Sequence, residues 1–221
     1  MKDPKRAIVK VSACGIYAKP TFKSEMVNQA LIKEEVSIID KTDNWYKISL
    51  KHDGYKGWVH EMYFCNQNNH KDSIEFEGDK NMIVKHAIDR LGTPYLWGGR
   101  SNQGYDCSGL VQTCMNLSGF KFPRDVKDQL QSALLDDVEI DKIHLGDLLF
   151  FEENNIPTHV GIAISNFKFL NAKGYHGKMI HASGTVKISE IASDNKIEII
   201  IDRKKDKKIK LYKAMRLKND K

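Results

Sequence analysis

The rhythm of apolar positions changes twice along the chain. From about residue 7 to 65 they come in short β-branched or aromatic bursts, IVKV, MVNQALI, VSIID, WYKISL and GWVH, separated by turn signals such as TDN and HDG. That texture predicts a small barrel of about five strands. Residues 66–80, NQNNHKDSIEFEGDK, are polar and turn-rich and read as a linker. At residue 81 the spacing becomes helical: Ile83, Val84, Ala87, Ile88 and Leu91 share one face, and Gly92 is a stop signal. A second helix is expected from about Cys107 to Asn116, with Leu110, Val111 and Cys114 inward, and a short third one after FPRD, with Asp125 as its cap. From Leu145 onward LGDLLFF, HVGIAI, KMIHAS, IEIIID and KLYKAMRL read as strands. Helices followed by an antiparallel sheet make an α+β domain. The predicted organisation is therefore 1–65 barrel, 66–80 linker and 81–221 α+β domain.

Composition narrows this picture only modestly. The 221 residues are 41% hydrophobic and 29% charged, ordinary for a globular protein with a sizeable core. The net charge of +6 is spread thinly except in Arg203 to Lys213, read here as a solvated loop leading into a last strand. With no nucleic-acid-binding motif beside it, a nucleic-acid partner is not expected. No stretch approaches the ~20 apolar residues of a membrane span, and no apolar run of signal-peptide length opens the chain. A cytoplasmic location is the expectation, with a secreted or periplasmic one as the alternative had a leader been removed. The four cysteines form no dense framework and fit reduced thiols. Cys107 and Cys114, two helical turns apart, are too distant along their helix to bridge.

The candidate chemistry gathers around Tyr95 to Leu110, YLWGGRSNQGYDCSGL. Cys107 opens a predicted helix, where unpaired N–H groups and the dipole favour thiolate. A buried small hydrophobe is the commoner fate of a free cysteine; a partner base would decide between the two. Of eight histidines, His159 opens HVGIAI and His181 lies in MIHAS. If these strands pair, both imidazoles lie on one face, and a cysteine on a helix packed over that face could meet the first. The second would orient the first through its other ring nitrogen.

These segments also carry a resemblance. AKPTFKSEMV, WYKI and DGYKGWV resemble a bacterial SH3-like domain of the kind attached to cell-wall enzymes. YLWGGRSNQGYDCSGL, FPRD, LGDLLFF, THVGIAI and IHAS follow in the order of the NlpC-type papain-like peptidases of the bacterial cell wall. Together the chain is similar to the γ-D-glutamyl-L-diamino acid endopeptidases.

The resemblance implies Cys107 as nucleophile, His159 as general base and His181 as the residue orienting it. It implies acyl transfer at the γ-glutamyl carbonyl, with the Cys107 backbone N–H in the oxyanion hole. The Tyr95 hydroxyl would be a second donor or a substrate contact. Asp106 would hold the substrate's free amine, and Ser108 its carboxylate or backbone. A carboxylate facing the thiol would raise its pKa, so Asp106 must point away or be paired. Glu25 and Tyr55 would close the far end of the site; a surface glutamate and a barrel-packing tyrosine are the competing readings. Arg124 and Asp125 either reach the substrate carboxylate or serve as surface charge and helix cap. Val126 stands where relatives often carry a hydroxyl. Trp97 either floors the cleft or packs in the core, and Asn166 to Lys178 either rims the cleft or points into solvent. The implied substrate is a murein peptide beginning L-Ala-γ-D-Glu-diamino acid, cut by a monomer without metal or cofactor, in recycling. The alternatives are a secreted peptidoglycan hydrolase and a wall-binding SH3-like protein with weak or no catalysis.

Overall fold

The structure, a computed structural model, describes residues 5–65, 78–169, 175–193, 198–202 and 207–218. Most of the expected linker, 66–77, lies outside the described residues.

The N-terminal unit is a seven-stranded antiparallel sheet in the order β3-β2-β6-β5-β4-β1-β7. Its strands are β1 (Lys5–Val9), β2 (Ala13–Tyr17), β3 (Met26–Leu31), β4 (Glu35–Thr42), β5 (Trp45–Leu50), β6 (Lys56–His60) and β7 (Phe64–Cys65). The five-strand expectation missed β2 and β7. In β2 the inward residues Cys14 and Ile16 alternate with Ala13, Gly15 and Tyr17, a strand built partly from small residues of weak β-propensity. Ile16, Ala30, Val36, Ile48 and Val59 are fully buried in the core of this unit.

The second unit begins with α1 (Asn81–Ile88), two short strands β8 (Arg100–Ser101) and β9 (Gly104–Tyr105), α2 (Cys107–Leu117) and α3 (Val126–Leu130). Ile83, Val84 and Ala87 bury as expected. Ile88 and Leu91 are exposed instead, Leu91 lying beyond the end of the helix at Ile88. The sheet comprises β10 (Leu135–Val138), β11 (Leu148–Glu153), β12 (Ile156–Ala163), β13 (Lys168–Phe169), β14 (Tyr175–Ser183), β15 (Thr185–Ser193), β16 (Glu198–Asp202) and β17 (Lys207–Leu217). The path β17-β11-β12-β14-β15-β16 closes on itself, since β16 also pairs with β17. Two apolar layers result. Leu110, Val111, Cys114 and Met115 of α2 pack on Phe150, Val160, Ile162, Ile180, Ala182 and Val186. Leu149, Phe151, Ala163, Met179 and Ile191 fill the opposite side.

One expectation changes here. The basic run is not a loop over its described part: Lys207 to Lys213 is already β17, where Lys210 pairs with buried Glu152 and Lys213 with Asp137. Residues 203–206 lie outside the described residues. Of the Asn166 to Lys178 segment only the flanks are described, with Phe167 buried beneath Gly177 and β13 pairing with β14. Residues 170–174 lie outside the described residues.

The two units share a polar seam. Arg100, 4% exposed, donates through Nη2 to both oxygens of Glu34 (2.8 and 2.5 Å) and through Nε to the Gln29 carbonyl (2.8 Å). Gln112 of α2 donates to Asp53 at 2.8 Å. Gly98 is forced by two demands: its φ is +74°, and a Cβ there would stand 2.5 Å from the Met26 carbonyl of β3.

Candidate active site

Asp106 caps the helix that presents Cys107. Its backbone is extended, and its carboxylate accepts from the Gly109 N–H at 2.7 Å, satisfying one of the orphan donors of the first turn. The same carboxylate accepts from the Gly98 N–H at 2.8 Å and from Arg124 Nη1 and Nη2 at 3.0 and 2.6 Å. Arg124 also donates to Ser108 Oγ (2.8 Å) and, across the seam, to Asn28 Oδ1 of β3 (3.0 Å). Arg124, Asp106 and Ser108 are 3%, 7% and 6% exposed. These three are therefore a buried network that fixes the start of α2. The expectation that Asp106 meets a substrate amine is replaced, because its oxygens already accept from an arginine and two backbone N–H groups. Arg124 is correspondingly neither a surface charge nor open to a substrate carboxylate, and Ser108 bonds inward.

The thiol does not match the thiolate expected at a helix start. Burial pushes Cys107 up to about 11, and the neighbouring Asp106 adds to the rise. Backbone N–H groups of Val160 and Ser108 and the Arg124 guanidinium pull the other way without prevailing. The helix-terminus effect is present, but desolvation outweighs it.

The Val160 contact places the sulfur against the residue that follows His159. His159 Nε2 lies 2.8 Å from His181 Nδ1, the rings nearly perpendicular at 85°. His181 is 1% exposed and His159 half-buried. The expected shared face is present: both histidines have the parity of Phe151 and Met179, and Phe151 is paired with His159 in the ladder. The helix, however, covers the opposite face. The β12–β14 ladder runs through Ile162–Ile180 and Ala163–Met179 and ends there, one residue short of His181. Gly161 leaves room for His181 and Met179 of β14. A Cβ on it would come within 3.2 Å of His181 Cβ and 2.8 Å of Met179 Sδ.

Tyr95 is held by its N–H to the Gly184 carbonyl at 2.9 Å. Burial first, then the nearby Cys107, pushes its hydroxyl up to about 12, so it stays a hydrogen-bond donor. At the rim, Trp97 is 60% exposed and its Nε1 donates to Glu25 of the N-terminal unit at 2.8 Å. Trp97 is thus not a core residue. Tyr55 packs on the barrel core, its hydroxyl 3.4 Å from the Val27 carbonyl, and it is pushed up to about 12 by burial and then by Asp125. Asp125 occupies the N-cap position of α3 but makes no side-chain cap bond. Partial burial raises its carboxyl above the usual range, although Arg124 opposes the shift. The structure therefore joins His159 to His181 and sets Cys107 beside Tyr95 and the Val160 backbone. Glu25, Tyr55 and Asp125 stand where the two units meet. Sequence reasoning missed Asn28 and the buried Ser189, whose Oγ lies 2.9 Å from His181 Nε2.

Among the described residues no helix is long and apolar enough to cross a membrane, and no group of three His, Cys, Asp or Glu could hold a metal.

Comparison with known proteins agrees with this division. Residues 92–198 match the NlpC/P60 family, and residues 16–62 match the bacterial dipeptidyl-peptidase Sh3 domain. A γ-D-glutamyl-L-lysine dipeptidyl-peptidase of Bacillus subtilis is 31% identical over 157 residues, 70% of this chain and 46% of that protein. A protein of the same name from Bacillus cereus is 25% identical over 251 aligned positions, 77% of this chain and 71% of that one. Dipeptidyl-peptidase 6 of Lysinibacillus sphaericus is 34% identical over 100 residues, and the chain spans 35% of its length. The chain thus spans less than half of the first and last of these relatives. The crystal structure of an NlpC/P60 family protein from Bacillus cereus shares the fold with a TM-score of 0.73 at 18% identity, covering 96% of this chain and 99% of that one. Residues 92–198 are thus an NlpC/P60 unit of papain-like α+β fold, joined to a bacterial SH3-type unit matched over residues 16–62.

Proposed function

We propose that the protein hydrolyses the bond between γ-D-Glu and the diamino acid in short murein peptides that carry a free N-terminal L-Ala. The observation that supports this reading is the junction: Glu25 of one unit accepts from Trp97 of the other, and Tyr55 lies beside Asp125, Arg124 and Asp106, which we read as a wall at the far end of a cysteine–histidine site. Such a wall limits how far a substrate can extend on its amino side.

In the proposed mechanism Cys107 gives its proton to His159 Nδ1, the ring nitrogen not engaged with His181. The sulfur attacks the γ-carbonyl carbon, and the oxyanion forms near the Cys107 N–H, which has no intrahelical acceptor by position, and the Tyr95 hydroxyl. The His159 imidazolium protonates the leaving amine, and water then hydrolyses the thioester with His159 again as base. The high thiol pKa favours proton transfer coupled to attack over a standing thiolate.

Asp125, with Tyr55 and Glu25, takes the amine-binding role first read into Asp106. Its carboxyl is partly buried and makes no side-chain cap bond, and a substrate ammonium would add to the opposing charge of Arg124. Peptides already released from the wall fit this site best, which suits a cytoplasmic recycling role. Incubation with released murein peptides and with intact sacculi tests the assignment. Cleavage of the peptides with sacculi left undigested is expected; solubilised sacculi would favour a wall hydrolase instead.

A further inference from the structure

The hydrogen-bonded line that leaves the thiol does not stop at the second histidine. His159 Nε2 meets His181 Nδ1 at 2.8 Å, and His181 Nε2 meets Ser189 Oγ at 2.9 Å. Ser189 lies on β15, paired with Met179 of β14, and is 7% exposed, so its hydroxyl faces His181 away from bulk water.

Tautomers decide what this line can do. For His159 Nδ1 to accept the thiol proton, the proton of the neutral ring must sit on Nε2. That N–H needs a lone pair on His181 Nδ1, which requires the proton of His181 to sit on its own Nε2. The acceptor facing that N–H is Ser189 Oγ. We infer that Ser189 is a positioning residue of the proposed peptidase site, holding His181 in the Nε2–H tautomer and thereby keeping the basic lone pair of His159 directed at Cys107.

Without the Ser189 oxygen, the buried His181 N–H loses the acceptor that stands 2.9 Å away, which is unfavourable at a 1% exposed site. Moving the proton to Nδ1 removes the stranded donor. It also sets two N–H groups against each other across 2.8 Å unless His159 shifts its own proton to Nδ1. In that arrangement no lone pair faces the thiol. A hydroxyl suits the position because it accepts without adding a charge that would draw a second proton onto His181.

This inference rests on Cys107 and His159 being the nucleophile and base, and its test separates the two. Ser189→Ala and Ser189→Thr are compared with the unaltered chain by steady-state kinetics on L-Ala-γ-D-Glu-diaminopimelate and by nitrogen-15 NMR of the histidine rings. Ser189→Ala should lower kcat by roughly tenfold or more with KM within about twofold, part of what general-base catalysis supplies. It should also move the His181 proton from Nε2 toward Nδ1. Ser189→Thr, which restores an oxygen, should recover both. An unmoved His181 tautomer in Ser189→Ala overturns the inference, as does an equal loss of kcat in both variants. Absence of turnover in the unaltered chain would defeat the functional proposal, while the tautomer measurement would still decide the role of Ser189.

Discussion

Arg124 donates to both oxygens of Asp106, at 3.0 and 2.6 Å, and the pair sits directly beside the residue expected to do the chemistry. Both side chains are almost wholly buried, so neither charge is compensated by water. A pair of this kind adds little over a well-packed apolar pair, but breaking it leaves a buried charge alone. Arg124→Met should therefore cost about 3–5 kcal/mol of stability, read as a lowered urea midpoint. A loss below ~1 kcal/mol would mean that Asp106 finds another partner.

The N-terminal unit supports the nucleophile helix through Asn28, which holds Arg124, and through Glu34, which holds Arg100. Glu34→Gln keeps the shape but removes the charge opposite buried Arg100. It should destabilise the protein by about 1.5–3 kcal/mol, and both units should still unfold in one transition. Two separate transitions in the unaltered protein would show that the seam does not couple them.

The thiol predicts its own reactivity. With its pKa pushed up to about 11, Cys107 is overwhelmingly protonated at neutral pH, and the thiolate fraction grows with each pH unit until that value is passed. In the substrate-free protein, iodoacetamide labelling of Cys107, followed by peptide mass spectrometry, should rise steadily between pH 7 and about 11. Exposed Cys65 serves as the internal reference. A labelling rate already flat near neutral pH would reveal a standing thiolate–imidazolium pair.

Gly161→Ala should widen the 2.8 Å contact between the two imidazoles, since its added Cβ meets His181 Cβ at 3.2 Å. Displaced orientation of the base should lower kcat roughly tenfold with little change in KM. An unchanged kcat would show that β14 yields without disturbing the histidines.

Much of this site was legible because local signals and chemistry coincided. The apolar-periodic run after Cys107 marked the start of α2, and two histidines in strand-like segments marked the pair that meets at 2.8 Å. The role of Asp106 was not legible, because its partner lies 18 residues away and a lone R-D pair reads as surface charge. Strand β15 was missed for a related reason. Val186 faces the helical layer, Ile191 the opposite one, Ile188 is exposed and Ser189 is a buried polar residue. That sequence shows neither alternation nor a continuous apolar run. The missed strand and the missed Ser189 are one omission.

The central claim is that one site cuts after γ-D-Glu only when the peptide's amino end is free. Its most direct test compares kcat/KM for L-Ala-γ-D-Glu-diaminopimelate and for the same peptide acetylated at its N-terminus. The free peptide should be cut at the γ-glutamyl bond and the acetylated one at least about 100-fold more slowly, a loss of ~2.7 kcal/mol of transition-state binding. Equal cleavage of the two would contradict the amine-binding role of Asp125, Tyr55 and Glu25, and cleavage of neither would contradict the peptidase assignment itself.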